Sequence, residues 1–190
     1  MLEIDRIVDH HCHGVITADL ERPEYEALMA EAHLPAPKGC SQFDKPLGLL
    51  IRRHCAPLLD LEPHATASDY VARRLELGGQ EASRRLMRAT GVSELLIDTG
   101  HRSDSILDVP QMAEITNCVT REVPRIEAIM EQAAKQASSA TELVDTFDAL
   151  LQVHSKDAIG LKSIVAYRVT FDIDQTDPSR EDVVQAAGNW

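Results

Sequence analysis

One stretch near the N-terminus constrains this chain more than any other: a short apolar run that ends abruptly in Asp9-His10-His11-Cys12-His13-Gly14. The run over residues 4–8, with Asp5 and Arg6 inside it, has the length and composition of a strand. Side chains alternate along a strand, so Ile7, Asp9, His11 and His13 are expected on one side and Val8, His10 and Cys12 on the other. Same-face neighbours lie roughly 6–7 Å apart, close enough for His11 and His13 to turn ring nitrogens onto one divalent ion. Neutral imidazole is the commonest nitrogen ligand for zinc and similar metals. The plainer alternative is a surface or core strand that is merely rich in histidine. A structural zinc site using His10, His11, Cys12 and His13 together is disfavoured, because adjacent strand residues point apart and the chain has no Cys-x-x-Cys pair.

The grammar changes after His13. Helix formers cover 20–33, interrupted by Pro23, and 47–59, with Leu50 and Ile51 on the apolar side. Two prolines and a glycine make 34–41 a loop. Another helix starts at a Thr66 or Ser68 cap and stops at Gly78-Gly79; 80–90 is a further one, ended by Gly91. Residues 14–91 are therefore a mainly helical insertion, on which Arg73, Arg74, Arg84, Arg85 and Arg88 make a solvated face.

Strand-like phrases then return. Residues 92–100 are an apolar run ending in Asp98-Thr99-Gly100, the form of the first stretch again. Residues 109–119 suit a helix, with Pro110 acceptable in its first turn. Residues 122–130 are ambiguous: Ile126, Ile129, Met130 and Ala133 have helical spacing, while Pro124 would break a helix running on from Cys118. An amphipathic helix over 139–154 precedes a strand over 158–168, and Ser179 with its acidic followers opens a last helix. Strand and helix in alternation indicate a parallel α/β fold. Lys162 stands out, since a lysine inside a near-continuous apolar strand needs a partner unless the strand is an edge. Arg168, just beyond, either binds an anion or caps the loop.

With 190 residues the chain is long enough for one domain with a proper core. A net charge of −12 argues against a general affinity for nucleic acid or anionic membrane, which requires a basic face. No run approaches the roughly 20 apolar residues that cross a bilayer, and the N-terminus lacks the basic start and apolar block of a signal peptide. Cys12, Cys40, Cys55 and Cys118 are scattered, which favours reduced thiols and a cytoplasmic protein.

The strand ending Asp9-x-His11-x-His13 resembles the amidohydrolase superfamily of metal-dependent (β/α)8-barrel enzymes. Leu95-Leu96-Ile97-Asp98-Thr99-Gly100, Pro124-Arg125-Ile126-Glu127 and Gly160-Leu161-Lys162-Ser163-Ile164-Val165-Ala166-Tyr167-Arg168 look like the second, third and fourth strands of one subgroup. That is the amidohydrolase-2 branch, related to the amidohydrolase domains fused to glutamine-synthetase-like proteins. The resemblance turns 122–130 into a third strand ending near Glu127, followed by a helix. It implies an α/β fold that is the N-terminal half of a TIM barrel: four parallel strands, with the 14–91 insertion as a lid after the first. The family completes its metal site with histidines from the fifth and sixth strands and an aspartate from the eighth, which this sequence does not contain. A barrel takes about 250 residues, so the chain is expected to be a partial barrel domain over 1–190.

The implied function is metal-dependent hydrolysis of a C–N or related bond in a small, acidic substrate. His11 and His13 would hold the metal, zinc in the first instance. Lys162 would serve as a bridging carbamate or a substrate-binding lysine, and Tyr167, Arg168 and Glu127 would contact substrate. His101, just after the second strand, is the strongest of the remaining histidines as a substitute ligand. A half-barrel leaves sheet edges and an apolar interior open, so a homo-oligomer is expected. The contrasting expectation is an inactive half-barrel that self-associates or pairs with its missing half.

Overall fold

The computed structural model describes residues 6–30, 37–174 and 176–190. Ile4 and Asp5 of the expected first strand, His33 and the side chain of Tyr167 lie outside the described residues. The chain divides into two compact units. One comprises the residues up to Ile7 with Val15–Ser93 and Pro110–Cys118; the other comprises Val8–Gly14, Glu94–Val109 and Val119–Trp190.

The first unit is helical. Helix α1 (Arg22–Leu28) opens with Pro23 in its first turn, where a missing N–H costs nothing, and with a reciprocal Glu21–Glu24 cap. The single helix expected over 47–59 is three pieces: α2 (Pro46–Leu50), a π-type turn over Ile51–Cys55 and a 3-10 turn over Pro57–Leu59. Pro57 explains the break, since it has no N–H to continue the ladder. Helix α3 (Ala67–Leu77) starts at Thr66, whose hydroxyl accepts the Asp69 N–H at 3.1 Å. Gly78, at φ 80°, ends it and lets α4 (Gly79–Arg88) begin at the next residue. Helix α5 (Val109–Thr116) stops short of the expected Val119, because Asn117 turns into the left-handed region at φ 60°.

Phe43, Leu59 and Tyr70 are fully buried at the heart of this unit. The Tyr25 and Phe43 rings stack at 5.7 Å, and Tyr70 meets Phe43 edge-on at 5.8 Å. Arg74 corrects the expected solvated face: it is buried, with its guanidinium 5.0 Å from the centre of the Tyr25 ring. Arg73, Arg84 and Arg85 pair with Asp60, Glu76 and Glu81.

The second unit is α/β. Its parallel sheet has the order β1 (Val8–Cys12), β2 (Glu94–Asp98), β3 (Val119–Val123). Central β2 is buried nearly throughout, as its unbroken apolar run requires. The third strand ends at Val123 rather than near Glu127, which instead lies in the first turn of α6 (Ile126–Gln136). Pro124 sets that limit by removing the next ladder donor.

The fourth expected strand is reduced to one parallel bridge, Arg125 to Lys162. Around it, Ile159 N–H donates to Glu122 O (3.1 Å), Lys162 N–H to Pro124 O (3.0 Å) and Ile126 N–H to Lys162 O (2.9 Å). Three residues on one side against two on the other make this pairing irregular. It then ends because Glu127 takes the Ile164 N–H (2.8 Å), and Val165–Arg168 turns into a short helix, α8. The strand expected over 158–168 therefore does not extend past Ile164.

Helix α7 (Ala140–Ser155), capped by Ser139, packs between α6 and α9 (Arg180–Gly188), and α9 begins with a Ser179–Asp182 capping box. Ile129 and Ala133 of α6, Leu143 and Val144 of α7, and Leu95 and Ile97 of β2 are buried apolar side chains of this unit. Among the described residues no helix is long and apolar enough to cross a membrane.

Candidate functional site

Polar side chains of the second unit gather at the C-terminal ends of its strands, where parallel α/β sheets place their sites. Strand β1 brings His11 and His13 there through a bulge. Val8 and Asp9 pair with Glu94 and Leu95, but Cys12 pairs with Ile97, so β1 carries one residue more than β2. Asp9 accommodates it by accepting the His11 N–H on Oδ1 at 3.0 Å, and Cys12 Sγ reaches Leu96 O at 3.5 Å. Simple alternation cannot be counted through such a bulge. Burial and the charge of Asp9 push the Cys12 thiol up to about 11, so this thiol stays protonated at neutral pH.

The hub is Asp98, the last residue of β2, whose side chain is only 3% exposed. Its Oδ2 accepts from Arg125 Nη2 at 2.6 Å and lies 3.5 Å from Lys162 Nζ and 3.8 Å from His13 Nδ1. Its Oδ1 accepts the Gly100 N–H at 2.9 Å. Burial pushes the Asp98 carboxyl up, yet the Arg125 hydrogen bond, the Gly100 N–H and the Arg125 and His13 charges together hold it below the usual carboxylate range. Arg125 fits beside Gly100 because that residue has no Cβ; one added there would sit 2.3 Å from Arg125 Cβ.

The hydrogen bonds fix both imidazoles. His13 Nδ1 lies 3.0 Å from the Asp98 carbonyl oxygen, which can only accept, so Nδ1 carries a proton and any lone pair this ring offers is at Nε2. His11 Nε2 lies 2.9 Å from Lys162 Nζ, and an ammonium can only donate, so His11 also offers an Nε2 lone pair. His101 lies alongside, its ring centre 4.9 Å from that of His13. Desolvation first, and then the His13, Arg125 and Arg102 charges, lower the pKa of His101.

Of the residues singled out from the sequence, the structure thus brings His11, His13 and Lys162 together. Glu127 lies in the first turn of α6. Its carboxylate accepts from Ser163 Oγ (2.6 Å) and the Ile164 N–H (2.8 Å), fastening the chain just after Lys162. Arg168 is exposed on α8. Sequence reasoning missed Asp98 and Arg125 as the centre of the cluster. The available signal was the repeated ending of an apolar strand in aspartate, together with an arginine just after Pro124.

The donors suit a divalent cation in part. In their neutral forms both imidazoles would offer Nε2 lone pairs, and the His13 ring is held from behind by a carbonyl, as metal-binding histidines commonly are. A cation, the Lys162 ammonium, already occupies the lone pair of His11. Among the described residues no group of three or more His, Cys, Asp or Glu side chains stands ready to hold an ion.

No protein-family model matches the chain, and no curated protein matches it. A solved structure does: a "putative metal-dependent hydrolase" from Lactobacillus casei ATCC 334, with a TM-score of 0.58 and 26% sequence identity. The match covers 86% of this chain and 43% of that one, so the chain spans less than half the length of the protein it resembles in fold.

Proposed function

We propose that this chain carries part of the active site of a metal-dependent hydrolase of the amidohydrolase type, with His11 and His13 as two ligands of a divalent ion, zinc in the first instance. The observation that carries this is the convergence of His11, His13, Asp98 and Lys162 from β1, β2 and the bridged segment around Lys162 at the C-terminal ends of the strands. The likeness to the Lactobacillus casei protein supports it independently. Three parallel strands and a bridged fourth segment, with α5, α6 and α8 after the last three, support the first half of a (β/α)8 barrel, whose later strands would supply the remaining ligands.

A bound ion would polarise a carbonyl and lower the pKa of its water to about 7. The chain's own residues prepare that place. The Asp98 carbonyl orients His13, and the Asp98 carboxylate anchors Arg125 and attracts Lys162. Lys162 is read as an ammonium, because its Nζ lies 3.5 Å from the Asp98 carboxylate. From there it can reach the carboxylate of a small acidic substrate; the carbamate alternative would take its positive charge away from Asp98. Arg168 and Tyr167 remain candidates for the far end of such a substrate, and a homo-oligomer is the proposed assembly.

Calorimetric titration with zinc at neutral pH tests this. The native chain should bind, and His11→Ala and His13→Ala should each weaken binding by about tenfold or more. Tight binding indifferent to both substitutions refutes it.

A further inference from the structure

We infer that the helical unit holds a small oxyanion, a carboxylate or phosphate group, between the guanidinium of Arg74 and the phenol hydroxyl of Tyr70. Neither residue belongs to the cluster around Asp98. Arg74 is only 8% exposed, and among the described residues no carboxylate or other hydrogen-bond acceptor meets its guanidinium. More exposed arginines of the same unit take acceptors: Arg73 and Arg85 reach Asp60, Arg84 reaches Glu81, and Arg88 reaches the Ile115 and Glu114 carbonyls. What Arg74 meets instead is the Tyr25 ring, 5.0 Å away. A cation–π contact offsets part of the desolvation of a buried charge, and it leaves the N–H donors at the guanidinium edge unused.

Tyr70 stands one turn earlier on α3, and positions four apart share a helix face. It is fully buried, and its hydroxyl has no hydrogen-bond partner among the described residues. The Tyr25 and Phe43 rings, 5.9 and 5.8 Å away, hold the phenol in place. Burial and then the Tyr25 phenol push the Tyr70 phenol up, so it stays protonated and can donate. The Arg74 charge pulls against that rise, and against the rise that burial gives the Cys55 thiol, so the three groups lie within electrostatic reach of one another. A buried cation and a buried hydroxyl, both donors without acceptors, call for a ligand that is negative and carries two or more acceptor oxygens. The guanidinium fork matches carboxylate and phosphate in that way. So little of Arg74 is open that the occupant is a free ion or the head group of a small molecule.

Inorganic phosphate and acetate are the probes, each titrated into the native chain at pH 7 in exchange for chloride at constant ionic strength. The readouts are the Arg74 side-chain N–H resonance, followed by heteronuclear NMR, and the thermal midpoint. At least one probe should shift the resonance saturably and raise the midpoint, and the stronger of the two separates a phosphate ligand from a carboxylate. Tyr70→Phe removes the hydroxyl and keeps the ring in the core; it should weaken that binding by about tenfold or more. Arg74→Met should abolish the rise in midpoint, and where that variant does not fold the Tyr70→Phe titration decides. An Arg74 resonance that neither probe moves saturably overturns the inference, and so does undiminished affinity in Tyr70→Phe.

Discussion

Asp98 and Arg125 form an ion pair of 2.6 Å in which the two side chains are 3% and 10% exposed. Removing one partner strands the other charge, which costs about 3–5 kcal/mol in pairs of this kind. Asp98→Asn should therefore destabilise the second unit by that order, measured by urea denaturation at pH 7. The pH dependence has a definite sign. The folded-state pKa of Asp98 is depressed, so its contribution is present above the unfolded value, near 3.9, and is lost as pH falls through the lower folded value. Asp98→Asn should flatten that acid limb; an unchanged limb would assign the loss to other carboxylates.

Gly100→Ala places a Cβ 2.3 Å from Arg125 Cβ and 3.2 Å from Ala128 Cβ. The first of these lies at the root of a side chain and cannot swing aside. Overpacking of this sort costs about 1–3 kcal/mol. A thermal melt should show the loss, and the pairing of Arg125 with Asp98 should weaken with it, seen as a shallower acid limb.

Lys162→Met tests the ammonium assignment. A unit charge about 4 Å from another contributes roughly 1 kcal/mol in water, and twice that against a divalent ion. Removing the lysine should therefore tighten zinc or cobalt binding by about tenfold or more. A bridging carbamate gives the opposite sign: binding would weaken in Lys162→Met and would depend on bicarbonate in the native chain.

Glu127→Gln removes the charge from a carboxylate that accepts both the Ser163 hydroxyl and the Ile164 N–H. The Glu127 pKa lies low, against the upward push of burial, because those two donors, its own N–H and the Arg125 charge favour the ionised form. Charge-assisted bonds contribute about 1.5–3 kcal/mol each, and an amide retains part of that. Hydrogen exchange at Ile164 should accelerate by about tenfold, with little change in α7.

Thiol reactivity should rank by environment. Cys40 is exposed, whereas the half-buried Cys12 thiol has its pKa raised to about 11. Iodoacetamide at pH 8, followed by mass spectrometry, should label Cys40 first and Cys12 far more slowly. Rapid labelling of Cys12 would mean that its contact with the Leu96 carbonyl is not maintained.

The parallel sheet was legible because buried strands write themselves as apolar runs, as Leu95–Ile97 do, and because their ends carry the polar residues. The helix starts at Thr66, Ser139 and Ser179 were legible for a local reason: one hydroxyl meets one N–H within three residues. What escaped was non-local. Glu127 ends the pairing of 159–162 by capturing an N–H 37 residues away, and no window around Ile164 announces that. The β1 bulge escaped for the same reason, since it exists only relative to the register of β2. Asp98 could be seen as a strand ending but not as a hub, because its partners His13, Arg125 and Lys162 come from three separate segments.

The order β1-β2-β3 has a consequence for motion. Asp98 and its arginine ride on the innermost strand and the turn after β3, where opening requires most of the sheet to come apart. His11 rides on, and His13 lies one residue past, an outer strand whose Val8 faces solvent. Local opening should therefore release the imidazoles well before it disturbs the buried carboxylate, with β1 amides exchanging faster than those of β2. An ion clamped between the histidines would reverse that ranking at β1 first: the outermost strand would slow its breathing while the centre, already quiet, would barely register the event.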